Sequence, residues 1–314
     1  MPEEKTCEFR TSIGGQALLE GILMRGPKKQ AIVVRTPDGL VSNVEELRLI
    51  KDRYPILGWP IIRGVANFLD SMVKGVKALM YSAELLPEEQ QEEPSKLDRW
   101  IEEKIGGEKA QQLIVAIAVA LGIGLSIGLF ILLPTLIAGF VSGSGTHHMV
   151  RNLLEGLIRI VIFLFYLWAC TRMKDIQRVF AYHGAEHKAI FCYEKGLPLT
   201  VENVRAQPRR HPRCGTSFLF VVMIISILVF SVVNWTNVWV RMGLRILLLP
   251  VVVGISYEIN RWVGRHDNLL TAVLSWPGRM LQHLTTNEPD DSMIEVAIEA
   301  LTLVIPEEKG ADAW

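Results

Sequence analysis

No two cysteines of this chain stand at C-x-x-C spacing; Cys7, Cys170, Cys192 and Cys214 are scattered singly. That argues against a disulfide framework or a redox dithiol, and the four read as reduced thiols. Charge of one sign is missing too. Lys and Arg number 33 and Asp and Glu 33, so no basic excess points to nucleic acid. The opening MPEEKTCEFR has no apolar stretch, which predicts no cleaved signal peptide. No repeat of about 20 to 50 residues is visible. Gly14, Gly15, Gly21 and Gly26 lack the following Lys-Ser/Thr of a phosphate loop, so they are expected to make tight turns, with Glu20 and Arg25 buried as a pair.

What the chain has in excess is apolar residues, which make up 50% of it. Leu113 to Val141 is a nearly uncharged run, longer than the ~20 residues a bilayer-spanning helix takes. It holds Gly124 and Gly128 at a spacing that lets helices approach closely, and Pro134 as a candidate kink. Leu153 to Cys170 carries Glu155 and Arg159 one helical turn apart. Thr216 to Val233 is clean, and Gly243 to Ile259 is interrupted by Arg245 and Pro250. The bland alternative is four buried helices of a large soluble protein. Runs of this length favour about four transmembrane helices.

Charge sets the expected orientation. The connection Thr171 to Gly215 holds nine Lys or Arg, whereas Val141 to Asn152 has only Arg151 and Val233 to Met242 only Arg241. The positive-inside rule then places the long connection and both termini in the cytoplasm. Trp235 and Trp239 suit an interfacial belt, and His147 and His148 fall in a short, solvated outer loop. The sequon Asn234-Trp235-Thr236 is read as chance, with no other sign of a secretory route.

The remaining segments frame this membrane part. Residues 1–90 are expected to form a cytoplasmic N-terminal part. Within it a β-hairpin turns at Pro37-Asp38-Gly39, and an amphipathic helix over Ile61 to Leu86 either packs on the membrane surface, the favoured reading, or covers the hairpin. PEEQQEEPSKLDRW is acidic and Pro-bounded, and the linker it opens is taken over 91–110. The four-span domain occupies 111–260, with a cytoplasmic loop 171–215. C-terminal cytoplasmic helices fill 261–314, one breaking at Pro277-Gly278 and the next starting after NEPDD. The fold class is mainly α, with a small α+β part at the N-terminus.

YHGAEHKAIFCYEKG, Tyr182 to Gly196, carries the chemistry. The pattern predicts one helix running from the second span through this stretch, stopped by Gly196 and Pro198. His183 and His187 then project from one face and can share a zinc ion. Glu186 lies beside them as a candidate general base. Two interfacial histidines bonded to backbone or lipid headgroups are the bland reading. RRHPRCGTSF adds His211 and Cys214, with Thr216 or Ser217 as N-caps, and SYEINRW adds Glu258 on the same side of the membrane.

Three chemistries fit this set. His183, His187 and Glu258 as ligands leave a fourth position open to water, with Glu186 as base. His183, His187, His211 and Cys214 make a closed structural site. Cys214, at a helix N-terminus among Arg209, Arg210 and Arg213, could instead be a nucleophile of lowered pKa, or simply a buried apolar thiol. His266-Asp267-Asn268 either approaches this site or caps a helix.

The segments GGQALLEGILMRGP, YHGAEHKAIFCYE, HPRCGTSF, YEINRWVGRHDN and the NEPDD tail resemble, in order, the signature segments of the YqhQ family of bacterial membrane proteins. The match spans Gly14 to about Ile305, with departures confined to the linker and outer loops. The resemblance implies a metal-dependent site carried by His183, Glu186, His187, His211 and Cys214. The first expectation is a polytopic protein of the inner membrane with a divalent-metal (zinc) site at the cytoplasmic face, hydrolytic in function. The second is a non-enzymatic scaffold or accessory factor of the membrane-insertion machinery, stapled by zinc. The lipid bilayer is the partner common to both.

Overall fold

The computed structural model describes residues 9–47, 54–87, 95–142, 147–231, 237–266, 268–308 and 310–313. Cys7, the acidic stretch 88–94, the sequon with Trp235, and Asp267 lie outside the described residues, as does the side chain of His148. The chain divides into two compact units. One comprises Met1–Pro87, Leu167–Ser226 and Leu249–Trp314, the other Glu88–Tyr166 and Ile227–Leu248.

The first unit is built on a four-stranded antiparallel meander: β1 (Gly14–Leu18), β2 (Gly21–Arg25), β3 (Lys29–Thr36) and β4 (Gly39–Glu46). The β3–β4 hairpin turns at Pro37-Asp38 as expected, Thr36 pairing with Gly39 at φ 131°. Glycine takes that backbone without a Cβ clash. Both faces of the inner strands are buried, so ILM and AIVV read as continuous apolar runs with no alternation. Ile22, Met24, Ala31 and Val33 face two helices, α6 (Lys174–Glu194) and α11 (Asp291–Thr302). Leu23, Ile32 and Val34 face Ala78 of α1 (Ile62–Glu84) on the other side. Each Val, Leu, Ile or Met among them stabilises by about 1.5–3 kcal/mol when fully buried.

The amphipathic helix α1 therefore covers the sheet with one face, while Leu69, Met72, Val73 and Leu79 stay exposed. Its first turn packs on a later helix, α9 (Val238–Arg265). A Cβ at Gly254 would stand 2.7 Å from the Ile61 carbonyl oxygen, so only glycine permits this approach. Ile61 itself is β-branched at φ 68°, a strained backbone for such a residue.

Glu20 and Arg25 are not a pair. Glu20 lies in the β1–β2 turn and accepts both Arg178 Nε and Nη2, each at 2.5 Å, whereas Arg25 bonds Asp70 Oδ2 at 3.0 Å. The two residues sit at opposite ends of a strand, about 16 Å apart at the usual rise.

The other helices are α2 (Lys96–Ile105), α3 (Gly107–Ile127), α4 (Leu133–Val141), α5 (His148–Cys170), α7 (Val201–Arg205), α8 (Gly215–Ser231) and α10 (Leu269–Thr285). Part of the expected linker is thus α2, started by a capping box between Ser95 and Asp98. α3 and α4 are joined by a π-helical turn, Gly128–Leu132, just before Pro134.

Among the described residues three apolar helical stretches are long enough to cross a membrane: Lys109–Val141, Met149–Cys170 and Trp239–Arg265. The third expected span appears as α8, an apolar helix with 17 described residues, and residues 232–236 that follow it lie outside the described residues. Two expectations are corrected. α5 does not run on into α6, because Thr171 Oγ1 bonds back to the Trp168 carbonyl at 2.7 Å and the Gln177 side chain caps the Thr171 carbonyl at 2.8 Å. α10 runs through Pro277 without a break, because Gly278 lets Ser217 of α8 pack where a side chain would stand.

Candidate metal centre

α6 presents the motif on a buried face. Ala181, Tyr182, Ala185, Ala189 and Ile190 lock the helix into the core, so His183 and His187 project one turn apart, ring centroids 4.4 Å from each other. Gly196 ends the helix at φ 64° as expected, with the Leu197 N–H returning to the Cys192 carbonyl at 3.1 Å. The chain then passes through α7 and comes back across the histidines.

That return is strapped by one side chain. The His211 N–H donates to Gln282 Oε1 and Gln282 Nε2 donates to the His211 carbonyl, both at 2.8 Å. The strap sets the Arg209 carbonyl 2.6 Å from His187 Nδ1 and delivers Cys214 to the start of α8. A second crossing comes from the far end of the chain. Gly184 lets the Asn287 carbonyl pass against α6, closer than any Cβ would allow. Thr285 O thereby lies 2.9 Å from His183 Nδ1.

These two carbonyls fix the tautomers. A carbonyl only accepts, so both Nδ1 atoms carry a proton and Nε2 is the atom each ring can offer a metal. His183 Nε2 stands 3.1 Å from Cys214 Sγ, and the ligand atoms of His183, His187 and Cys214 all lie within 4.8 Å of one another. Ligands about 2.0–2.3 Å from one tetrahedral zinc are about 3.5 Å apart. The set therefore fits a metal with little movement. His187 and Cys214 are buried and His183 half-buried.

Electrostatics favour a thiolate at Cys214 and an imidazolium at His183, which would yield its Nε2 proton on taking a metal. Burial opposes a thiolate at Cys214, but His187 and His183 outweigh it and hold the thiol well below its usual range. Burial likewise opposes charge on His183, yet Cys214 and Glu186 raise it to about 9. Burial pushes the Glu186 carboxyl up, with His183 and His187 opposing. Glu186 Oε1 accepts the Gly15 N–H at 2.9 Å, and Oε2 is buried without a partner among the described residues. Such an orphan beside a candidate metal set points to a group it would serve.

Two expected ligands are not brought into this cluster. His211 has both ring nitrogens engaged: Nδ1 accepts the Arg213 N–H at 3.3 Å and Nε2 donates to Glu194 at 3.3 Å. Glu258 is held by Arg63 and accepts the Ile61 N–H at 3.2 Å. Thr216 points back to Cys214, its Oγ1 3.4 Å from Sγ. His266 is exposed and bonds the Trp262 carbonyl, and Asn268 caps α10.

Several residues had no sequence signal strong enough to single them out. Glu194 lies two turns beyond His187 on the same helix, a spacing that could have flagged it, and it anchors His211, Arg213 and the Thr11 N–H. Gln282, Thr285 and Gly15 act through backbone contacts that no spacing encodes.

A mainly helical chain with membrane-length helices and a buried His–His–Cys cluster is the class these observations define. Over residues 59–307 the chain matches the family described as "Protein of unknown function (DUF1385)". It is 34% identical over 292 residues to "Uncharacterized protein YqhQ" of Bacillus subtilis (strain 168), covering 91% of this chain and 90% of that relative. The chain belongs to the YqhQ family. No solved structure matches it.

Proposed function

We propose that this protein is an integral membrane protein of the bacterial inner membrane whose cytoplasmic-face site binds a divalent metal, zinc by its donor set, and catalyses a hydrolysis. The observation that carries the reading is the pair of Nδ1–H···O=C bonds, His183 to Thr285 and His187 to Arg209, that turn both Nε2 atoms toward Cys214. Metal-ligating histidines are oriented by such second bonds.

Three protein ligands leave one position for water or substrate, the pattern of catalytic rather than structural zinc. A cation there supplies Lewis acidity and lowers the pKa of water. Glu186, with Oε1 fixed by Gly15 and Oε2 free, is placed to take the proton from that water. Burial raises its pKa, which makes the carboxylate a stronger base than an exposed one. Nine cationic residues between Thr171 and Gly215 support a cytoplasmic site and cytoplasmic termini.

Metal analysis of detergent-purified variants beside complementation of a null strain tests the reading. Glu186→Gln is expected to keep the metal and lose complementation. Full complementation by Glu186→Gln, with Cys214→Ser losing metal and function together, would instead support a zinc-stapled scaffold or accessory factor of membrane-protein insertion.

A further inference from the structure

The second unit buries a charge cluster that the metal chemistry does not use. Glu155 Oε1 accepts Thr135 Oγ1 at 2.8 Å and Arg159 Nη2 at 3.2 Å, and it also pairs with Arg245. Arg159 Nε donates to the Phe130 carbonyl at 2.8 Å, and the guanidinium groups of Arg159 and Arg245 both lie over the Phe230 ring. Arg241 faces the charges of Arg151, Arg245 and Glu155.

The ledger of charge does not close. Among the described residues four guanidinium groups, which stay protonated, meet one carboxylate. Arg241 is only 4% exposed, yet its Nε and Nη2 have no partner among the described residues, and the same holds for Nε of Arg245 and of Arg151. Glu155 Oε2 is the one acceptor in the cluster without a partner among the described residues. Water could satisfy these hydrogen bonds but would leave three net positive charges inside membrane-length helices, where each unpaired arginine is costly. The missing component is an anion.

Its depth indicates which one. Thr135, Glu155 and Arg245 each lie six residues inside the end of a span, at Val141, Met149 and Trp239. At 1.5 Å per residue that is about 9 Å, with Arg151 and Arg241 nearer those ends. The surrounding Leu136, Phe140, Val150, Leu153 and Val240 are exposed apolar side chains suited to acyl chains. Arginine's planar fork matches phosphate oxygens in pairs.

We propose that Arg151, Arg241 and Arg245 form a binding site for the phosphate of an anionic lipid headgroup, which competes with Glu155 for Arg245. The site is separate from the His183–His187–Cys214 cluster and does not depend on the function assigned to it.

Delipidated full-length protein in detergent is titrated with phosphatidylglycerol, inorganic phosphate or diacylglycerol while thermal unfolding is followed. Phosphatidylglycerol is expected to raise Tm saturably and diacylglycerol to leave it unchanged. Arg241→Gln should weaken the apparent affinity at least about tenfold, since it removes charge-assisted donors. Half-buried Arg151→Gln should weaken it too, which guards against misfolding of the first variant. Glu155→Gln, removing the competing anion, should keep or tighten binding. An Arg241-dependent response to inorganic phosphate, equal to that of the lipid, would support the site with free phosphate as its ligand. Equal responses in wild type, Arg241→Gln and Arg151→Gln, an equal response to diacylglycerol, or loss of binding in Glu155→Gln would each overturn it.

Discussion

The Nδ1 atom of His183 lies 2.9 Å from the carbonyl oxygen of Thr285, a residue 102 positions further along the chain. That one bond fixes a proton on Nδ1 and leaves Nε2 aimed at Cys214. The equivalent bond from His187 reaches Arg209, 22 positions away. The site is thus specified by backbone carbonyls from two distant segments.

Metal content should follow the cluster and not the wider set of candidates. Replacing His183 or His187 by Ala, or Cys214 by Ser, should remove most bound metal and lower Tm, because metal binding adds to folding stability. His211→Ala, Glu258→Gln and His147→Ala should retain near-stoichiometric metal. Elemental analysis of the purified variants reads this directly, and loss of metal in Glu258→Gln would remove the site as drawn.

Gly184→Ala changes no ligand but should disturb the site. The added methyl would meet the Asn287 carbonyl, which must then retreat and carry Thr285 with it. Overpacking of this kind costs about 1–3 kcal/mol. A lowered Tm together with weaker metal retention under chelator challenge is the expected outcome. Wild-type retention would show that the crossing does not position His183.

Gln282 should act as a positioning residue for His187. Gln282→Leu leaves the buried His211 N–H and carbonyl unpaired, each orphan costing about 1–3 kcal/mol. The loop carrying the Arg209 carbonyl then loosens. Metal affinity should fall while the ligand set stays intact, so excess zinc should restore occupancy in Gln282→Leu but not in His187→Ala.

Stability should fall on acidification through Glu194 and His211. Burial opposes charge on Glu194, but His211 and Arg213 hold it below its ordinary value. Burial, with the like charges of His187 and Arg213, holds His211 below 6.5 against the pull of Glu194. Both folded-state values are depressed, so the unfolded chain binds more protons as pH drops. Stability is full above about pH 6.5 and declines below it, with a further loss below about pH 4. Melting of chelator-treated protein against pH should show the first decline in wild type and a flatter one in His211→Gln.

Topology is tested by labelling intact cells with a membrane-impermeant maleimide. Asn237→Cys should react from outside, whereas Lys195→Cys, exposed on the loop side, should react only after permeabilisation. External labelling at Lys195→Cys would reverse the orientation and refute a cytoplasmic metal site.

Composition and period settled a good deal of this protein before any packing was known. Runs such as Leu113 to Val141 are long because a helix must satisfy its own backbone across lipid, and that demand is written locally. The β3–β4 turn at Pro37-Asp38-Gly39 and the stop at Gly196 are equally local, fixed by φ preferences of one or two residues. His183 and His187 share a face because the helical period puts them there.

Partners across the sequence were decided by tertiary structure alone. Cys214, His211 and Glu258 were equal candidates beside the histidines, since nothing in their spacing ranks them. Packing separated them: Gln282 strapped the loop, Glu194 took His211, and Arg63 took Glu258. Glu155 and Arg159 were visible as an i, i+4 pair, but Thr135 and Arg245 joined them only when three helices met at one depth. Helical period is a property of neighbouring residues. A ligand's third partner, or a charge's counter-ion, depends on which distant segments a core of close-packed side chains allows to touch.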